Sequence, residues 1–238
     1  MKIAREKNSF LLPHSMHIFR RMHIDVISDT ICPWCYIGKR RLERALSLRP
    51  QMTFEVRWRP FQLDPSMPAG GMNREEHLVA KFGSLEKLKP VQLALEQAGL
   101  EYGIPFAFER IQRTPNTLNS HRLIRWSHSL GLQDEMVEAI FRAYFVEGQD
   151  IGDTAVLARI GDAIGMDGEL VEELLNSDAD IESVTQQDSM ARKFGVQGVP
   201  SFLIGGRSLI MGAEDPHTLA EMIDRVLSSD AEGAAAAG

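Results

Sequence analysis

Hydrophobic and polar positions alternate over two early stretches, His23–Ser28 and Met52–Leu63. In the second, Phe54, Val56 and Trp58 interleave with Glu55, Arg57 and Arg59, the period of two that marks a half-buried strand. Between them Tyr36–Leu48 carries Leu42, Ala45 and Leu46 on one face and basic residues elsewhere, which predicts a helix. The chain therefore opens β–α–β. After the turn-rich loop 64–71 the period changes. Helices are expected over Asn73–Phe82, Leu85–Gly99, Thr117–Leu130, Asp134–Val146, Thr154–Ile164, Gly168–Leu175 and Ile181–Phe194, with no strand among them. Pro90 should kink or restart the second. Asp153 and Asp167 suit N-caps, and Gly99, Gly131, Gly165 and Gly195 suit C-caps. Strand character returns at Val199–Ile204 and Ser208–Met211 across Gly205-Gly206, a hairpin signal. Asp215 and Pro216 then open a last helix with Leu219, Met222, Ile223, Val226 and Leu227 on one stripe.

The order β–α–β, long helical run, β–β–α predicts one α/β core, residues 23–71 and 186–229, interrupted by an all-helical insertion, residues 72–185. Residues 1–22 read as an N-terminal extension, and the Ala-rich 230–238 as a disordered tail. Met22 opens the first strand, so an upstream start fits residues 1–21 as well as a native extension does.

The 238 residues, 44% hydrophobic and 25% charged, are a globular composition, which excludes a wholly disordered chain. Lys and Arg number 26 against 33 Asp and Glu, a formal charge of −7. Such a chain has no general attraction for nucleic acid or anionic membranes, so neither is expected as a partner. No run approaches the ~18–20 apolar residues of a membrane span. The short apolar run at Phe10–Leu12 is broken by Pro13, His14 and Ser15, against a secretory signal. A cytoplasmic location is expected, where thiols stay reduced.

Only two cysteines are present, Cys32 and Cys35, in Cys32-Pro33-Trp34-Cys35 at the first strand-to-helix junction. A helix start offers unpaired N–H groups and the positive end of the macrodipole, which favour a thiolate at Cys32. Cys35, one turn on, is expected to be more buried. A zinc site needs about four ligands, and neither a second cysteine pair nor a matching histidine spacing exists, so no metal is expected. An inert pair of buried cysteines is the bland alternative. A C-x-x-C beside a β–α–β pattern is, however, a redox signature. Pro33-Trp34 carries no charge, so the helix terminus should be the main source of thiolate character at Cys32, weaker than in the most oxidising dithiols. Val199-Pro200 opens a late strand, where proline is tolerated and where an X-Pro bond adopts cis at low cost.

Taken in order, five segments carry a family resemblance. They are Asp29-x-x-Cys32-Pro33-Trp34-Cys35-Tyr36-Ile37-Gly38, Trp58-Arg59-Pro60-Phe61, Asn116-Thr117 with His121-Arg122, Phe141-x-Ala143-Tyr144-Phe145-x-Glu147-Gly148, and Gly198-Val199-Pro200-Ser201-Phe202. The chain resembles DsbA-type thioredoxin-fold oxidoreductases of the FrnE-like group, related to 2-hydroxychromene-2-carboxylate isomerases and kappa-class glutathione transferases. The resemblance spans about 23–227. It implies a thioredoxin fold with a helical insertion, Cys32 as nucleophile, Cys35 as resolving cysteine and Val199-Pro200 as a cis-proline loop. The isomerases and transferases carry serine where Cys32 stands, so disulfide exchange is favoured here.

Trp58, Pro60, Phe61 and Asn116 are candidates for a substrate groove, with fold maintenance an equal reading of them. No resident cofactor is expected. Disulfide-containing proteins or glutathione are the expected partners, and monomer and homodimer are equally compatible. A glutathione-dependent isomerase or transferase and a redox-regulated holdase are the competing functions.

Overall fold

A computed structural model describes residues 21–236 of the chain. Strand β1 (Arg21–Ser28) leads through Cys32 into helix α1 (Pro33–Ser47), and β2 (Thr53–Pro60) returns parallel to β1, pairing Ile24 with Val56 and Val26 with Trp58. After the helical segment, β5 (Ser201–Ile204) runs antiparallel to β1 and β6 (Ser208–Met211) antiparallel to β5, so the sheet order is β2-β1-β5-β6. Helix α9 (Pro216–Ala236) closes the chain against α1.

The period-two alternation sorts the sheet into two faces. Met22, Ile24, Val26, Trp58, Phe202 and Ile204 enter the main core with α1 and α9, while Ile27 turns to the other face with Phe61 and Val196. This is a thioredoxin-like fold, as expected. Asp215 caps α9 through the His217 and Thr218 N–H groups, 2.9 and 3.1 Å away. The helix then runs to Ala236, through most of the stretch expected to be a disordered tail. Ala231 and Ala234–Ala236 have the highest intrinsic helix propensity, which favours continuing the helix over ending it. Residues 1–20 and 237–238 lie outside the described residues, and with them most of the N-terminal extension; β1 takes Arg21 and Met22 from it.

The segment between β2 and β5 is helical, with one exception. Met72–Asn73 (β3) pairs antiparallel with Arg113–Thr114 (β4), a two-residue ladder too short to leave a period in the sequence. Between these strands lie α2 (Arg74–Phe82) and α3 (Lys89–Glu101). The latter starts later than expected because Pro90 occupies its first turn, where the missing N–H costs nothing. Gly99 lies inside α3 rather than capping it, packed so closely that a Cβ would stand 2.6 Å from the Phe106 ring. Helices α4 (Leu118–His128), α5 (Gln133–Phe145), α6 (Thr154–Ala163), α7 (Gly168–Leu175) and α8 (Ile181–Lys193) complete the lobe. Asp153 and Asp167 cap α6 and α7 as expected.

One device locks the lobe to the α/β core, and a second ties the lobe's own helices together. Tyr36 of α1 stacks on Phe141 of α5 at 5.0 Å, within a cluster of Phe106, Phe108 and Phe145. Arg122 of α4, buried and among the largest enclosed side chains, donates to the carbonyls of Leu174, Leu175, Ser177 and Ala179, which close α7 and lead into α8. A helix end leaves carbonyls short of donors; Leu174 O takes the Ser177 N–H as well (3.1 Å), and the guanidinium adds its own donors to all four.

Candidate active site

Cys32 is the N-cap residue of α1, with extended backbone (φ −94°, ψ 111°), and Pro33 takes the first helical position, where its fixed φ suits the helix. The Cys32 N–H donates to Asp29 O (3.1 Å) and the Cys35 N–H to Cys32 O (3.0 Å), so the loop is a closed turn. Both cysteines are free thiols. Cys32 is 5% exposed and Cys35 1%. The Cys32 Sγ–H points at the Val199 carbonyl, 3.6 Å away. The next peptide bond, Val199–Pro200, is cis. The structure thus brings Cys32, Pro33, Trp34, Cys35, Val199 and Pro200 together across a separation of more than 160 residues.

Gly38 makes that approach feasible. A Cβ there would lie 2.8 Å from the Cγ of Pro200, a distance that packed carbons do not tolerate. A helical glycine normally costs ~1 kcal/mol against alanine; here it is what lets α1 lie against the proline ring.

The two thiols sit in different surroundings. Burial, then the hydrogen bond and charge of Cys32, push the Cys35 thiol well above its ordinary range, opposed by weaker bonds to Ser28 and Asp29. Cys35 is therefore held as a thiol near neutral pH. Behind the pair, the fully buried Asp29 accepts from the Leu63 N–H (2.7 Å) and faces His121 Nε2 at 3.3 Å. Asp29 joins the cysteine turn to β2's exit and to α4. Its role has no linear signal, because its partners lie 34 and 92 residues away.

The candidate groove residues are placed elsewhere. Trp58 is buried between sheet and α5, its Nε1–H donating to Asp134 (3.1 Å). Pro60 ends β2, and Phe61 packs on the opposite sheet face under the Arg192 guanidinium, 4.0 Å from its ring centre. Both ends of the Asn116 amide are engaged, Nδ2 with Met67 O (2.6 Å) and Oδ1 with the Leu118 N–H (2.9 Å). None of the four lines the cleft at Cys32, because their apolar surface and hydrogen bonds are consumed in holding the fold.

The cleft that does open there has a volume of about 340 Å³. Ile31, Cys32, Pro33 and the 39% exposed Trp34 form one wall, and α2 and α3 form the other. Tyr144 reaches its floor, where burial pushes the phenol up to about 12. Among the described residues no cluster of three or more His, Cys, Asp or Glu could hold a metal ion, and no helix is long and apolar enough to cross a membrane.

Comparison with known proteins agrees with this fold. The DSBA-like thioredoxin domain matches residues 23–224. The Bacillus subtilis protein YwbO is 27% identical over 199 residues, covering 81% of this chain and 90% of its own. A probable DsbA oxidoreductase from Streptomyces coelicolor superposes with a TM-score of 0.80 at 26% identity, over 87% of this chain and 90% of that one. A 2-hydroxychromene-2-carboxylate isomerase shares the fold, with a TM-score of 0.69 at 20% identity, over 89% and 98% of the two chains.

Proposed function

The chain belongs to the DSBA-like thioredoxin domain family, and on that premise we propose that it is a thiol–disulfide oxidoreductase whose redox centre is Cys32–Cys35. One observation carries the reading: Cys32 caps a helix at the mouth of a cleft, 3.6 Å from the carbonyl before cis-Pro200, with Cys35 directly behind it. Cys32 attacks the nearer sulfur of a substrate disulfide, displacing one thiolate and forming a mixed disulfide. Cys35 then gives up its proton and attacks Cys32, releasing the second thiolate and leaving Cys32–Cys35 oxidised. The raised position of the Cys35 thiol keeps it silent until a mixed disulfide presents Cys32 as its target.

The reading extends to a reducing cytoplasm, where the pair idles as a dithiol and reduces or isomerises protein disulfides, with glutathione as a co-substrate of the same exchange chemistry. A glutathione-dependent isomerase or transferase would need the serine that its relatives carry at position 32, and the cysteine there weighs against it. A holdase role would survive loss of both thiols.

Dithiothreitol-dependent reduction of insulin separates these. Cys32→Ser abolishes it, Cys35→Ser accumulates mixed disulfides, and wild-type rates in either variant would end the oxidoreductase reading. Suppression of client aggregation by the double Cys→Ser variant would favour the holdase.

A further inference from the structure

The far wall of the cleft carries positive charge that no carboxylate of the fold neutralises. Arg74, His77 and Lys81 follow one another at i, i+3 and i+7 on α2, so they share a helix face, and all three line the cleft beside Cys32. No carboxylate lines it. Among the described residues, neither Arg74 nor Lys81 has a carboxylate within 4.0 Å; each stands instead over an aromatic ring, Phe108 at 5.8 Å and Phe82 at 5.8 Å. Arg74 also donates to the Tyr144 hydroxyl at 3.2 Å. The contrast within the molecule is Lys39, buried among Glu43, Asp134 and Glu138. The carboxylate that bears on His77 is Asp64, already bonded to the Ser66 N–H and hydroxyl.

Two further observations mark a binding surface. Thr114 is 3% exposed and lines the cleft, its hydroxyl set against the Tyr144 phenol and with no partner at full hydrogen-bond geometry. The remaining lining is apolar, including Leu78, Leu88, Val91 and Leu95. An apolar pocket with a few converging polar groups is the usual form of a ligand site, and ~340 Å³ is at the small end of the range.

We propose that this cleft selects disulfides whose flanking apolar group carries a carboxylate, the apolar part lying between α2 and α3 and the carboxylate on Arg74 and Lys81. The inference rests on Cys32–Cys35 being the exchanging pair. The electron balance is that of the exchange itself. Two electrons pass from the dithiol to the bound disulfide, its S–S bond breaks, two ligand thiolates leave, the Cys32–Cys35 bond forms, and the two thiol protons pass to solvent. The overall charge of −7 opposes an anionic ligand, so a preference for one has to originate in the local cations.

Single-turnover stopped-flow with the pre-reduced full chain tests this. The probes are 5,5′-dithiobis(2-nitrobenzoate) and its neutral bis-carboxamide, each rate normalised to that of free N-acetylcysteine amide, a thiol with no carboxylate of its own. The expected result is a normalised preference of roughly tenfold for the dianion, collapsing towards one as ionic strength rises from ~0.01 to ~0.5 M. Arg74→Gln and Lys81→Gln should each reduce that ratio. A preference of one or less, indifferent to salt in the wild-type protein, would overturn the proposal without touching the exchange reading. No reaction of Cys32 with either probe would remove both. Mixed-disulfide peptides bearing Phe-Glu or Phe-Gln beside the cysteine identify the source. A matching preference for the acidic peptide assigns the site to protein substrates, and a preference confined to the aryl disulfides assigns it to small molecules.

Discussion

The two walls of the cleft are built on opposite plans. On the cysteine side both thiols are enclosed, Gly38 admits Pro200 at close contact, and Asp29 is fully buried with its partners in place. On the other side α2 buries no residue at all, and Val79, Phe82, Val91 and Leu93 stand exposed along α2 and α3. Bond exchange requires sulfur atoms held to fractions of an ångström, whereas recognition of varied partners tolerates a looser surface. Few buried contacts imply a low local opening free energy, so the recognition wall should be the more mobile one.

The largest predicted asymmetry is in stability. Gly38→Val drives two methyl groups into Pro200 and should destabilise the fold by about 2–3 kcal/mol, with a parallel loss of exchange rate. Phe82→Ser on the far wall should cost less than about 0.5 kcal/mol. Urea midpoints at constant m-value measure both, and equal costs would erase the distinction between the walls.

A comparable effect is expected at alkaline pH. Burial raises the Tyr144 phenol from 10 to about 12, so the folded chain holds this proton more tightly than the unfolded chain. Its contribution is complete below pH 10 and is lost as pH rises through 12, a fall of about 2–3 kcal/mol. Tyr144→Phe should remove that share of the alkaline fall and leave the shares of Tyr36 and Cys35, which burial also raises; an unchanged alkaline limb would place the titration elsewhere.

Smaller effects sharpen the picture. Brief alkylation of the reduced protein near neutral pH should label Cys32 at least about tenfold ahead of Cys35, as peptide mass mapping would show, because thiolate character governs the rate. Amide exchange should be faster in α2 than in α1 by at least about tenfold. Equal protection would mean the far wall is as rigid as the near one.

The cysteine wall was legible in the sequence because its signals are local: a C-x-x-C, a proline in the helix's first turn, an alternating strand before it. Even the distant Val199-Pro200 announced itself by opening a strand, and Asp153, Asp167 and Asp215 marked their helices through side-chain chemistry at a fixed offset. The recognition wall had no such grammar. Arg74, His77 and Lys81 carry no local sign of a ligand in the sequence, and only the β3–β4 ladder and the fold of α2 over Cys32 turn that face into a pocket. Trp58 and Phe61 left a groove and fold maintenance equally open. Sequence alone does not tell a groove aromatic from a core one, and here the two rings fill the two faces of the sheet.

The central claim is that Cys32 and Cys35 act as one two-electron couple. The direct test is to equilibrate the full chain across a series of reduced-to-oxidised glutathione ratios, quench with acid, and read intact mass after thiol blocking. The account predicts a single transition between two blocked thiols and none, with the disulfide species two mass units lighter and mapped to Cys32–Cys35. Two thiols that remain separately blockable, or that each carry glutathione at the oxidising end, would contradict it.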